Sequence, residues 1–220
     1  MRIVLLGATG LVGSHLLTQL LSSADHHEIL TLGRTAPTAI DEKLSFIQSD
    51  LTNKTELIKL LSDFQIQGSI DMLISCLGTT IKVAGSKQGF FHVDHDLILN
   101  AAESARQCGI DRMMLVSAIN ADVKSRVFYS KVKGQTEQDL NLLGFKQLTL
   151  IKPSLLMGSR RDFRLAESFS APLMKLLNPL LMGVVKKYRA IEGKDVAECM
   201  VKQLKNPKQG VLEVYPADFL

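Results

Sequence analysis

Three side chains in this chain of 220 residues have types and spacing suited to proton transfer: Ser117, Tyr129 and Lys133. Tyr129 and Lys133 stand four apart in FYSKVKGQTE, so on an α-helix they project from one face. A free phenol has a pKa of about 10, too high for acid–base work at neutral pH. A neighbouring ammonium stabilises the phenolate and lowers that value. Ser117 closes the apolar run DRMMLVSA and is placed to orient a carbonyl oxygen beside the phenol. The three together suit hydride transfer between a nicotinamide and a small carbonyl or alcohol, with Tyr129 handling the proton, Lys133 tuning it and Ser117 orienting.

Such chemistry needs a dinucleotide, and the N-terminus supplies a turn for one. GATGLVG follows a short apolar run and opens an amphipathic helix. In that context Gly7 permits the tight turn, Gly10 lets the backbone approach a pyrophosphate at the helix N-terminus, and Gly13 allows helix and strand to pack closely. After the second apolar run comes Gly33-Arg34-Thr35, with no acidic residue to hold ribose hydroxyls. Arg34 there fits a 2′-phosphate, which favours NADP(H) over NAD(H). Asp50 and Leu51, after the third run, are expected to border the adenine, unless Asp50 serves only as a helix cap.

The elements that must position these residues are legible as an alternation. RIVLLG, EILTLGR, LSFIQSDL, IDMLISCLG, DRMMLVSA and KQLTLIKPS read as six buried strands. Between them lie helical patterns, including NKTELIKLLSDF with Thr52 or Asn53 as cap, and a helix from about Phe90 to Gln107 stopped by Gly109. Alternating strands and helices predict an α/β fold, a doubly wound parallel sheet of Rossmann type, with ligands beyond the carboxyl ends of the strands. We expect residues 1–220 to form a single domain. Residues 154–192 break the alternation and are expected to be a small C-terminal cap over the substrate side, followed by a helix KDVAECMVKQLK and a last strand GVLEVY.

Composition narrows the class. Hydrophobic residues are 46% and charged residues 22%, ordinary for a globular protein. The net charge of +4 is mild and dispersed, and no Lys/Arg tract suggests nucleic acid. APLMKLLNPLLMGVV is interrupted by Lys175 and Asn178-Pro179, so no membrane span is expected. Cys76, Cys108 and Cys199 are odd in number and widely spaced, which points to buried thiols in a reducing compartment, read as the cytoplasm.

On GATGLVG, CLGTT, Ser117 and Tyr129-x-x-x-Lys133 with Glu137, the chain resembles the short-chain dehydrogenase/reductase superfamily over most of its length. GFFHVDHDLILNAAESARQCG, FYSKVKG and KPSLLMG are similar to the atypical branch holding the Tat-interacting, NADPH-binding oxidoreductase-like proteins and their small bacterial relatives. The resemblance implies cofactor contacts from Gly7, Thr9, Gly10, Leu11, Val12, Arg34, Leu77, Gly78, Thr79, Tyr129, Lys133, Pro153 and Leu155. It also implies contact between Lys133 and the nicotinamide ribose, and a homodimer paired through helices. Cys76-Leu77-Gly78 and Ser117-Ala118 depart from patterns common in the superfamily, and the single Arg34 replaces an arginine pair. Two rival readings therefore stand beside the oxidoreductase: an NADP(H)-binding regulatory or scaffold protein, and a nucleotide-sugar epimerase or dehydratase.

Other candidates have plainer readings. His92 and His95, near Asp96, can meet on a helix, but no third ligand at metal-site spacing accompanies them, so no metal is expected. Cys76 beside the nicotinamide end reads as core filler. Arg160, Arg161 and Arg164 can grip an anionic substrate or line a solvated loop. Met157, Met174 and Met182 can line an adaptable apolar pocket or fill core.

Overall fold

The computed structural model describes residues 1–25, 27–157 and 191–215. The expected Arg160, Arg161, Arg164, Met174 and Met182 lie outside the described residues, as does most of the expected cap and the side chain of Met157. Seven strands form one parallel sheet: β1 (Arg2–Leu6), β2 (Glu28–Gly33), β3 (Leu44–Gln48), β4 (Met72–Ser75), β5 (Arg112–Val116), β6 (Gln147–Ile151) and β9 (Gly210–Val214). Their spatial order is β3-β2-β1-β4-β5-β6-β9. The order reverses direction at β1, between β2 and β4, which opens a crevice at the carboxyl ends of the strands. Two further short strands, β7 (Leu156–Met157) and β8 (Ile191–Glu192), pair in parallel on either side of the segment 158–190.

The strands are apolar on both faces because helices cover both. In β1, Ile3 and Leu5 join one core cluster while Val4 and Leu6 join the other. β5 divides in the same way, with Met114 and Val116 on the first face and Met113 and Leu115 on the second. Helices α1 (Leu11–Ser22) and α7 (Gly193–Lys205) cover the first face through Val12, Leu16, Leu20, Val196 and Met200. The second is covered by α2 (Lys54–Gln65), α5 (Leu97–Gln107) and α6 (Phe128–Leu142). Each fully buried Leu or Ile contributes roughly 1.5–3 kcal/mol of transfer free energy, so this two-faced pattern is what holds the sheet in register. Asn53 caps α2, its side chain accepting from the Glu56 amide at 3.2 Å.

Two features depart from the periodicity. The expected helix beginning near Phe90 starts earlier, as α4 (Lys87–Phe91), after a single turn α3 (Ile81–Ala84). Between α4 and α5, residues His92–Asp96 form one π-helical turn. A π turn inserts one residue into the helical repeat and shifts which side chains face inward. Here Asp94 is fully buried within it. Among the described residues no helix is long and apolar enough to cross a membrane.

Candidate active site

The glycine turn after β1 is tight and is closed by backbone contacts that only glycine allows. Gly7 sits at φ +75°, and a Cβ there would lie 2.7 Å from the carbonyl of Cys76 at the end of β4. A Cβ on Gly13 would run into the Gly7 carbonyl oxygen, so only glycine lets α1 approach the turn this closely. Gly10 is the N-cap of α1, has no side chain to cap with, and its amide donates to the Gly7 carbonyl at 3.0 Å. The first-turn amides of α1, at Leu11, Val12 and Gly13, therefore keep their donors and the positive end of the dipole for an anion. Thr9 is exposed beside them, whereas the Val12 side chain is buried in the core and offers its backbone alone. These residues fit the pyrophosphate of a dinucleotide.

Arg34, at the end of β2, is exposed and makes no ion pair among the described residues. Asp50 and Leu51 follow β3 and form the turn into α2. The Asp50 carboxylate folds back onto its own turn, accepting from the Thr52 amide at 2.9 Å and the Thr52 hydroxyl at 2.6 Å. Those bonds hold its carboxyl below the usual aspartate range. Leu51 is buried in the core with φ +65°, a left-handed conformation secured where Asn100 donates to its carbonyl at 3.2 Å. Asp50 is exposed beside the end of β3, and its carboxylate also closes the β3–α2 turn, whereas Leu51 is buried.

The chemical end gathers on a cavity of about 510 Å³ lined by Leu11, Thr79, Ser117, Tyr129, Pro153 and Leu155, among others. The strands place these residues. The β5–β6 ladder runs on past the strand ends, Ser117 N–H donating to Ile151 O at 2.8 Å and Ile119 N–H to Pro153 O at 2.9 Å. The loop after β5 is pressed onto α6 at Gly134, where a Cβ would collide with the backbone of Asp122 and Val123.

Helix α6 then delivers three polar residues along one stripe, at intervals of four. Tyr129 is 40% exposed and borders the cavity, its ring 5.5 Å from that of Phe90. Lys133 is buried, with Nζ 2.8 Å from Asp94 Oδ1 in the π turn. The second oxygen of Asp94 accepts the Thr79 amide at 2.8 Å, and its carbonyl accepts the Thr136 hydroxyl at 2.9 Å. Burial pulls the Lys133 pKa down, but the Asp94 carboxylate outweighs it and, with Tyr129, holds the ammonium above its ordinary value. Gly78 lies alongside, where a Cβ would stand 3.5 Å from Asp94 Oδ1. Leu77 packs against the adjoining core.

Glu137, the third of the stripe, accepts the Ser117 hydroxyl through Oε1, and its Oε2 lies 3.0 Å from Lys152 Nζ. Lys152 Nζ is also 2.9 Å from Glu213 Oε1. The expected trio is thus brought to one end of the sheet, with Asp94, Glu137, Lys152 and Glu213 as partners that spacing alone did not assign. Signals for two of them exist in the sequence. Asp94 stands four residues from Phe90 and four from Ile98, both fully buried. Lys152 directly follows a fully buried strand and is itself buried, a place that demands a counter-charge.

Cys76 is partly buried, and desolvation pushes its thiol up to about 12, so it is a neutral thiol at physiological pH. His95 is held between Asp96 and Asp139, each 2.9 Å from a ring nitrogen, and stacks on Phe91 at 4.3 Å. His92 Nδ1 lies 3.4 Å from Asp96 Oδ2.

A parallel sheet in this order, with a glycine cradle after β1 and Tyr129 and Lys133 after β5, defines a Rossmann-type nucleotide-binding protein. The model of the NAD dependent epimerase/dehydratase family matches residues 3–139, and the chain belongs to that family. Among its relatives are mitochondrial FMP52 proteins. That of Emericella nidulans is 34% identical over 210 residues, covering 92% of this chain and 88% of the relative. That of Meyerozyma guilliermondii is 37% identical over 161 residues, covering 73% and 67%. Among solved structures, the Bordetella bronchiseptica enzyme WbmH in complex with NAD+ aligns with a TM-score of 0.71 at 15% identity, covering 98% of this chain and 75% of that one. The UDP-Glc/GlcNAc 4-epimerase of Campylobacter jejuni aligns with a TM-score of 0.70 at 16% identity, covering 98% and 78%. At such identities the likeness establishes the fold.

The relatives correct one expectation. They are named as mitochondrial proteins, which overturns the cytoplasmic reading. That reading rested on free thiols, and thiols separate reducing from oxidising surroundings, not one reducing compartment from another.

Proposed function

We propose that this protein is an NADP(H)-dependent oxidoreductase acting on a small hydroxyl or carbonyl compound. The observation that carries the reading is Tyr129 at the cavity wall, one helical turn from the buried Lys133–Asp94 pair and facing Ser117 and Thr79 across the same space. When bound, the dinucleotide supplies or accepts the hydride. Gly7, Gly10 and the first-turn amides of α1 hold its pyrophosphate, and Arg34 its 2′-phosphate. Tyr129 holds the proton exchanged with the substrate oxygen, and Lys133 keeps positive charge beside it. The similarity to the Tat-interacting, NADPH-binding branch supports the cofactor preference, and the names of the relatives support a mitochondrial setting. The test is Tyr129→Phe with a turned-over carbonyl substrate: we expect kcat to fall at least a hundredfold with NADPH affinity retained. Wild-type turnover by that variant defeats the assignment.

A second reading, nucleotide-sugar epimerisation or dehydration, is favoured by the family match over residues 3–139. Saturable binding of a UDP-sugar, with no net NADPH oxidation, would select it.

A further inference from the structure

Ser117 closes β5 at the cavity wall and is only 4% exposed. Its hydroxyl donates to Glu137 Oε1. A hydroxyl has one proton and two lone pairs. Once the proton is committed to a carboxylate, in a charge-assisted bond, lone pairs are what the oxygen has left to offer.

The direction of that bond depends on Glu137 being ionised, which burial opposes and the neighbouring Lys152 ammonium favours. Lys152 Nζ lies 3.0 Å from Glu137 Oε2 and 2.9 Å from Glu213 Oε1, and the Tyr215 hydroxyl donates to Glu213. Burial raises the Glu137 carboxyl above its ordinary value, while the Ser117 hydroxyl and the Lys152 ammonium oppose the rise. Burial likewise pulls Lys152 down, but its two carboxylate partners hold the ammonium above the usual lysine range. The ammonium is therefore in place wherever Glu137 is charged.

We infer that Glu137, anchored by Lys152, is a positioning residue that makes Ser117 a hydrogen-bond acceptor at the cavity wall, so that the site selects ligands presenting a donor there, an alcohol over the matching ketone. This rests on the cavity being the substrate site of the oxidoreductase proposed above. It assigns a specificity role to a side chain that cannot touch the ligand, and it reverses the polarity first expected of Ser117.

The experiment uses protein saturated with NADP+ and two probes that cannot react with it, 2-phenyl-2-propanol and acetophenone. Each is titrated calorimetrically into wild type, Ser117→Ala and Glu137→Gln, after circular dichroism confirms the fold. Wild type is expected to bind the alcohol about tenfold more tightly, the value of one good hydrogen bond. Ser117→Ala should bring the ratio close to one. In Glu137→Gln, Lys152 takes the amide oxygen and the amide nitrogen faces Ser117, which frees the serine proton for the cavity; the ratio should then move toward the ketone. A merely structural role for Glu137 would weaken both probes together and leave their ratio alone. Equal affinities in wild type, a ketone preference, an unchanged ratio in Glu137→Gln, or binding of neither probe by NADP+-loaded protein overturns the inference. A protein that binds no dinucleotide at all overturns the oxidoreductase reading, and this inference with it.

Discussion

The Lys133 ammonium lies 2.8 Å from the Asp94 carboxylate, and both side chains are almost wholly buried. The pair ties α6 to the π turn of the preceding helix. It also means that the charge beside Tyr129 is shared with an anion, so the phenol does not have the ammonium to itself.

Removing one member of such a pair leaves an uncompensated charge in the interior. Asp94→Asn keeps the shape and an acceptor for the Thr79 amide but strands Lys133. We expect a loss of about 3–5 kcal/mol in urea denaturation. A change below about 1 kcal/mol would mean that Lys133 finds another partner or reaches water.

Gly13→Ala places a methyl group against the Gly7 carbonyl oxygen. The backbone of the turn has to shift, at a cost of about 1–3 kcal/mol. Because the proposed pyrophosphate donors lie on the same turn, dinucleotide affinity should fall together with Tm. Thermal unfolding with and without NADPH checks both at once.

Arg34 is exposed at the end of β2, with no partner among the described residues to constrain it. Its truncation should therefore leave stability within about 0.5 kcal/mol. Loss of a charge-assisted bond to a 2′-phosphate should weaken NADPH about tenfold and leave NADH unchanged. Equal losses for both cofactors would remove Arg34 from the phosphate site.

Lys133 and Lys152 both have pKa values raised above the usual 10.5. A group whose folded value is raised stabilises the fold fully below its unfolded value and loses that contribution as pH rises through the folded one. The protein should hold its stability through neutral pH and lose it steeply only above about pH 10.5. Lys152→Met removes one of the two contributions, and its stability should fall less across the same alkaline interval. Glu137 is raised as well, so its linkage has the same sign at lower pH: its charge is a cost at neutral pH that is relieved in acid.

The α/β alternation was readable because strands covered on both faces are continuously apolar while the helices between them keep a periodic stripe. The glycine turn was readable because Gly7 and Gly13 answer to steric demands within a few residues of themselves or against one neighbouring strand. Tyr129 and Lys133 were legible as helical neighbours at a spacing of four. The local bonds of Asp50 and Leu51, to Thr52 and from Asn100, were not legible, because they follow from how the β3–α2 turn closes and where α5 packs.

From the sequence alone came the fold class, the tight glycine turn after β1 and the helical face that carries Tyr129 and Lys133. All are local or periodic consequences of residue type. The partners of that face came from tertiary contact: Asp94 for Lys133, Glu137 for Ser117, Lys152 and Glu213 beyond. These pairs are separated by up to 61 residues, from Lys152 to Glu213, and a buried charge must be matched by whatever the fold brings within about 3 Å of it, which spacing does not encode.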